Sequence, residues 1–219
     1  MNSIYRSIWN HKSGNFVAVS ENTRGAGKQA SSGGGGAGAR FALKALAAGV
    51  MLACGATSWA APQGGTVAAG SATIVSGAGV TTINQSSQKA ALNWQSFNIG
   101  LGETVRFVQP GSDAVALNRV TGGDASSILG RLSANGKVFL VNPNGILFGR
   151  DASVNVGALV ASSLNLGDAD FMAGRYAFAG EGRGAVVNQG AIAADGGFVA
   201  LLGAEVRNDG AISARLGTV

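Results

Sequence analysis

From Thr66 onward, apolar positions come in short alternating runs, each ended by Gly, Asn or Pro-Gly. Thr73-Ile74-Val75 and Val80-Thr81-Thr82-Ile83 have the length and β-branched content of strands. In the stretch from Ala91 to Gly100, the spacing predicts that Leu92, Trp94, Phe97 and Ile99 face inward. Thr104 to Gln109 alternates again and stops at Pro110-Gly111, and Val115 with Leu117 continues the pattern. Ala125 to Leu132 suits either a turn or two of helix or a strand that ends at Asn135-Gly136. No other segment after the leader suggests a helix. At the centre lies the stretch from Val138 to Gly149, where two apolar runs flank Asn142-Pro143-Asn144-Gly145. Pro143 presets φ for the second turn position, and Asn142, Asn144 and Gly145 suit the other three. Taken alone, the turn fits a hairpin as well as any other tight corner.

The spacing between runs separates these readings. Asn188-Gln189-Gly190-Ala191-Ile192 recurs as Asn208-Asp209-Gly210-Ala211-Ile212, an offset of 20. The run Ala134 to Val138 recurs at Ala194 to Phe198, an offset of 60 that reads as three such periods. Val154 to Val160 follows the same grammar. Short strands, Gly or Asn corners and a period near 20 predict a solenoid, whose coils bury an inner face only when stacked. Without a Leu ladder, the fold class expected is all-β: a parallel β-helix. The turn at 142–145 then becomes a corner of one coil. An irregular amino-terminal cap is expected within 61–130, since solenoid ends need covering. The repeat is still running at Val219, which predicts a domain cut inside the β-helix.

Composition supports a folded chain: 46% hydrophobic, 12% charged, 36 Gly and 3 Pro. The net charge of +5 suggests nucleic acid until it is placed. Six of the 16 basic residues and one of the 11 acidic ones precede residue 61, so the remaining ten of each cancel. The later part has no basic stripe, and no nucleic-acid partner is expected.

The basic excess belongs to a leader, 1–60. Arg40 and Lys44 form a positive n-region, and Ala45 to Ala56 is an apolar run too short to span a membrane. Ser58 and Ala60 place small residues at −3 and −1, so signal cleavage is expected between Ala60 and Ala61. Cys54 weakly suggests a lipoprotein site, but Met51 stands where Leu is usual. Residues 31–39 read as a Gly/Ser linker without the features of a phosphate loop. Residues 1–30 form an extension with Asn2, Tyr5, Arg6, Trp9-Asn10, Val19-Ser20-Glu21 and Lys28. It resembles the extended signal peptide region of Gram-negative autotransporters and two-partner secreted exoproteins.

Catalytic chemistry is sparse. The only His is His11 and the only Cys is Cys54, so 61–219 holds no His-based triad, no thiol and no usual zinc ligand. Neither cofactor nor metal is expected. Asp168 with Asp170, and Asp113, Asp124 and Asp151 singly, are the acidic candidates for sugar cleavage; they read as solvated loop carboxylates, Asp168 and Asp170 in a Gly-bounded loop with no neighbouring basic partner. Arg106 and Arg119 read as outward, solvated side chains.

Five blocks in order carry a wider resemblance: Asn93 to Gly100, Val105 to Pro110, Ala116 to Val120, Asn142-Pro143-Asn144-Gly145-Ile146, and Asn155 to Ser162. Over most of 61–219 the chain resembles the secretion domain of the filamentous-haemagglutinin family, the exported partner of two-partner secretion. A second family motif, Asn-Pro-Asn-Leu, is absent. The resemblance implies a right-handed β-helix with an amino-terminal cap and a non-enzymatic adhesin. It implies export by the Sec machinery, then recognition by a TpsB-type outer-membrane β-barrel transporter with periplasmic binding domains. Host cell-surface receptors would meet a downstream region. Asn142 to Ile146 would carry the family motif, as a coil corner or as a contact with the transporter. A secreted β-helical polysaccharide-active enzyme and a haem- or host-protein-binding exoprotein are the alternative readings.

Overall fold

Runs of small and β-branched residues become strands of three to six residues, several of them stopped where a Gly or Asn turns the chain. The computed structural model describes residues 5–10, 15–20, 60–215 and 219. The linker, the n- and h-regions, His11, Cys54 and the −3 position Ser58 lie outside them. The chain forms two units, Met1–Ala56 and Thr57–Val219. In the first, β1 (Tyr5–Asn10) pairs antiparallel with β2 (Asn15–Ser20).

In the second unit, β3 (Thr66–Ala69) and β4 (Ala72–Gly77) precede β5 (Val80–Gln85) and β6 (Lys89–Trp94). Each following coil contributes one strand to each of three sheets. These are β7 (Thr104–Val108), β8 (Val115–Val120) and β9 (Ser126–Ile128), then β10 (Arg131–Ala134), β11 (Lys137–Val141) and β12 (Ile146–Phe148). Next come β13 (Ser153–Asn155), β14 (Ala158–Ser162), helix α1 (Asp168–Met172) and β15 (Ala185–Asn188). β16 (Ala191–Ala193), β17 (Val199–Leu202), β18 (Glu205–Asn208) and β19 (Ala211–Ser213) complete the described coils.

The first sheet runs β4-β5-β7-β10-β13-β16-β19, the second β3-β6-β8-β11-β14-β17, and the third β9-β12-β15-β18. From β5 and β6 onward every strand pair is parallel. The expected parallel β-helix is therefore the fold. Its cap is smaller than expected: only β3 on β6 and β4 on β5 are antiparallel. Residues 104–130 already belong to coils. Their repeat is hidden because β7 to β10 spans 27 residues, from Thr104 to Arg131 in register.

The period near 20 holds where Asn188 sits over Asn208. The offset of 60 has a different origin. Leu132 stacks on Val154, and Val154 on Ile192, so 60 residues make two coils of 22 and 38. The longer coil carries an insertion after β14. That insertion holds α1, a helix that the sequence did not announce because it lasts only five residues and buries only Phe171. The Ala125–Leu132 segment forms strand β9 and the start of β10, not helix.

Two apolar layers result. Inside the coils lie Leu92, Trp94, Phe97, Ile99, Phe107, Ile128, Leu132, Leu140, Phe148 and Leu159, as expected for the first four. The outer face of the second sheet is also apolar, with Leu117, Phe139, Val141 and Val160 packed against Leu166 and Phe171 of the insertion. This explains why β11 and β14 read as unbroken apolar runs: both their faces are covered.

Candidate functional site

The chain turns at Asn142–Gly145 from β11, which pairs with β8 and β14, into β12, which pairs with β9 and β15. The two flanking strands thus lie in different sheets, and the turn is no hairpin. Asn142 is fully buried, and both its Nδ2 and its Oδ1 are hydrogen-bonded within the fold. Its Nδ2 donates to the Asp124 carbonyl and to Ser126 Oγ, both at 3.0 Å, reaching into the coil below. Its Oδ1 accepts from the Asn144 N–H at 3.0 Å, an Asx turn that replaces a backbone turn. Its own N–H donates to the Ser162 carbonyl, in the coil above, at 2.9 Å. A buried polar side chain is tolerated only when so satisfied.

The rest of the corner stacks the same way. Asn144 Nδ2 donates to the Gly122 carbonyl at 2.9 Å, and the Gly184 N–H to the Pro143 carbonyl at 3.0 Å. Gly145 sits at φ +110°, where an L side chain is strained, and a Cβ there would meet the Ala185 carbonyl at 2.8 Å. A Cβ on Gly184 would collide with the Gly145 N–H. Ile146 is buried in the coil, while Pro143 and Asn144 are exposed.

The sequence blocks interlock around this corner. Trp94 Nε1 donates to Asn118 Oδ1 at 3.0 Å, both inside the coils. The Ser127 N–H donates to Asn98 Oδ1 at 2.8 Å. Arg119, expected to be solvated, is instead a clasp with its side chain only 16% exposed. It donates to Asn93 Oδ1 (3.1 Å), Asn165 Oδ1 (3.0 Å), the Leu166 carbonyl and Asp168 Oδ1 (2.7 Å). It thereby ties two coils to the insertion. Arg106 does point outward and is exposed.

The carboxylates are correspondingly different from expectation. Asp168 faces Arg119, and Asp170 bonds Arg175 at 2.7 Å, so neither lacks a basic partner. Asp113 pairs with Lys137 at 3.2 Å. The Asp124 and Asp151 residues are exposed, and Asp124 lends its carbonyl to Asn142. Exposed Arg207 is held above its ordinary pKa, chiefly by its hydrogen bond to Asp209, and stays ionised. Among the described residues no three His, Cys, Asp or Glu side chains come together in a way that would hold a metal.

At the other predicted position, Ala60 is exposed and Ala61 half-buried. The Ala61 carbonyl accepts from Gln63 Nε2 at 3.0 Å, and Gln63 bridges antiparallel to Ser96. The cap thus begins within three residues of Ala61. Sequence reading missed Arg119, Asn118, Gly122 and Gly184, whose partners in other coils and in the insertion lie 21 to 49 residues away.

One expected result concerns Asn142 directly. Asn142→Ala leaves Ser126 Oγ, the Asp124 carbonyl and the Asn144 N–H without this partner, at a cost of about 2–3 kcal/mol. Urea titration of the exported product would show the midpoint fall; an unchanged midpoint would refute the account of the corner.

Comparison with known proteins places these features. The TPS secretion domain matches residues 58–219, and the extended signal peptide of the type V secretion system matches residues 1–50. A heme/hemopexin-binding protein of Haemophilus influenzae strain Rd is 38% identical over 168 residues, 70% of this chain and 18% of that protein. A second Haemophilus influenzae heme/hemopexin-binding protein is 52% identical over 85 residues, 39% of this chain and 9% of that protein. The chain therefore spans under a fifth of the length of these relatives. The crystal structure of the HMW1 secretion domain from Haemophilus influenzae superposes with a TM-score of 0.66 at 37% identity, covering 70% of this chain and 42% of that one. The chain belongs to the TPS secretion domain family: it carries an extended signal peptide followed by the secretion domain of a TpsA-type exoprotein, exported through the periplasm to the cell surface or medium.

Proposed function

We propose that the domain works without catalysis, as the address and the first folded coils of a large exoprotein, an adhesin. The leader, 1–60, is removed after Ala60. Residues 61–219 are then recognised in the periplasm by a TpsB-type outer-membrane β-barrel with periplasmic binding domains. Extended segments dock there by adding strands to the partner's sheets, and the coils assemble outside. Asn142 to Ile146 acts in this scheme as the corner that shapes the coil. The observation that supports this is that the buried Asn142 amide is hydrogen-bonded inside the fold through both its Nδ2 and its Oδ1.

The test is secretion of residues 1–219 with and without the cognate barrel partner. The product is expected in the medium only with the partner and to begin at Ala61 on amino-terminal sequencing. Equal release without the partner would refute the transport reading; a different first residue would move the cleavage site.

A second reading follows from the names of the relatives, which describe heme or hemopexin binding. No His or Cys occurs after residue 54 of this chain. A heme site ligated by His or Cys is therefore not proposed for this domain.

A further inference from the structure

Glu103 is the one acidic side chain buried among the described residues, only 5% exposed at the corner that leads into β7. Its Oε2 accepts from the Gly100 N–H at 2.7 Å, and its own N–H donates to the Gly100 carbonyl at 3.0 Å. The next coil stacks directly on this corner. The Arg131 N–H donates to the Glu103 carbonyl at 2.9 Å, and a Cβ on Gly130 would collide with the Gly100 and Glu103 carbonyls. Among the described residues no Lys or Arg pairs with the Glu103 carboxylate, the neighbouring Arg131 included. One amide donor compensates poorly for a carboxylate taken out of water.

The chain entering the cap passes over the same spot. A Cβ placed on Gly100 would lie 3.1 Å from Glu103 Oε2 and 3.3 Å from the Ala60 Cβ. Ala60 therefore stands beside the carboxylate, separated from it by no more than the space a Gly100 side chain would fill. The Ala61 N–H donates to no described residue, whereas the Ala61 carbonyl is held by Gln63 Nε2 at 3.0 Å. Pro62 is buried, and the Gln63 N–H donates to the Ser96 carbonyl at 2.9 Å. The segment is thus seated on the fold up to the residue whose nitrogen has no partner.

We infer that Glu103 is the binding site for the amino terminus that signal removal creates, an inference that rests on the proposed cleavage after Ala60. Hydrolysis of the Ala60–Ala61 bond consumes one water and leaves a carboxylate on the departing Ala60 and an ammonium on Ala61. The unpartnered nitrogen thereby gains a positive charge and further N–H donors beside a carboxylate that has no counterion. The pair is charge-assisted, and both partners are already held in place, so little further ordering opposes it. A metal cation fits this place less well, because no three His, Cys, Asp or Glu side chains gather among the described residues. Before cleavage the same nitrogen is a neutral amide and the cap lacks the contact. Removal of the leader thus tightens the cap onto the corner that carries the later coils.

The test uses the exported protein, and its amino-terminal sequence is read first. With Ala61 at the terminus, urea unfolding is compared for the parent and Glu103→Gln, each with its α-amine free or acetylated. Acetylation in mild acid spares Lys89 and Lys137, whose amines stay protonated. Glutamine keeps the shape and an acceptor for the Gly100 N–H but carries no charge. Acetylation should lower the folding equilibrium constant of the parent about tenfold or more and leave that of Glu103→Gln unchanged. A second measurement needs no variant. Isotope-labelled dimethylation retains the charge of the α-amine, and by NMR it should keep its proton to higher pH in the folded parent than in the urea-unfolded chain. The inference is overturned if acetylation costs the parent nothing, if it costs both proteins equally, or if the α-amine titrates alike in the folded and unfolded chain. A first residue other than Ala61 refutes the cleavage reading, and this inference with it.

Discussion

Gly145→Val is expected to abolish most secretion of folded product. The backbone at Gly145 has φ +110°, and a β-branched residue is strained there by about 1–3 kcal/mol. The new Cβ also meets the Ala185 carbonyl at 2.8 Å, in the coil above, so that coil must shift. Overpacking of this kind adds about 1–3 kcal/mol. The two costs fall on one corner and together approach the whole stability of a modest domain. Asn144→Pro should act in the same direction, because it removes the N–H that closes the Asx turn on Asn142. Both are read as the fraction of chain reaching the medium in cells with the barrel partner. Pro143→Ala separates shape from direct recognition, since Pro143 is exposed and its carbonyl still accepts from Gly184. It should leave secretion near the parent level. Wild-type titres for Gly145→Val, or loss of secretion in a normally folded Pro143→Ala, would sink the view that the corner acts through shape.

Trp94→Ala should destabilise the exported domain by about 3–5 kcal/mol, the usual cost of emptying a large core site. Trp94 is 1% exposed and stacks edge-on against Phe97, with ring centroids 5.4 Å apart. Its loss also strips Asn118, fully buried, of the indole N–H that its Oδ1 accepts. Trp94→Phe refills much of the volume but not the donor, so the difference between the two variants isolates the hydrogen bond. The phenylalanine variant should recover most, though not all, of the lost urea midpoint. Equal midpoints for the two would show that Asn118 is satisfied without Trp94. Because β6 and β8 are the first strands of the second sheet to pair in parallel, a loosened Trp94 also weakens the base on which later coils stack.

The insertion shows how a regular repeat conceals its exceptions. The segment from Ser163 to Gly184, between β14 and β15, interrupts a coil, and its aromatic residues close over Phe139, with Tyr176 5.0 Å and Phe171 6.3 Å away. Arg119 and Asp168 meet across 49 residues, Asn93 and Arg119 across 26. Such pairs leave no periodic mark, so the two carboxylates of 168–170 read as solvated. The same cause made two unequal coils look like three equal ones. The helix was equally silent, because its five residues are held by Phe171 packing and not by intrinsic propensity.

What the sequence determined by itself is the material that repeats locally, namely strand and corner alternation, the 20-residue step between Asn188 and Asn208 and the inward set from Leu92 to Ile99, together with the net positive charge that falls in the leader. Each depends on residues a few positions apart or on a period, and both survive in one dimension. Only the tertiary structure decided that Asn142 to Gly145 joins two different sheets and is locked from below by Asp124 and Ser126 and from above by Ser162 and Gly184. It also decided that Arg119 is a half-buried clasp and Arg106 an exposed charge, although both stand in alternating strands. Those distinctions depend on which coil lies above, and coil length is set by loops whose sequence carries no period.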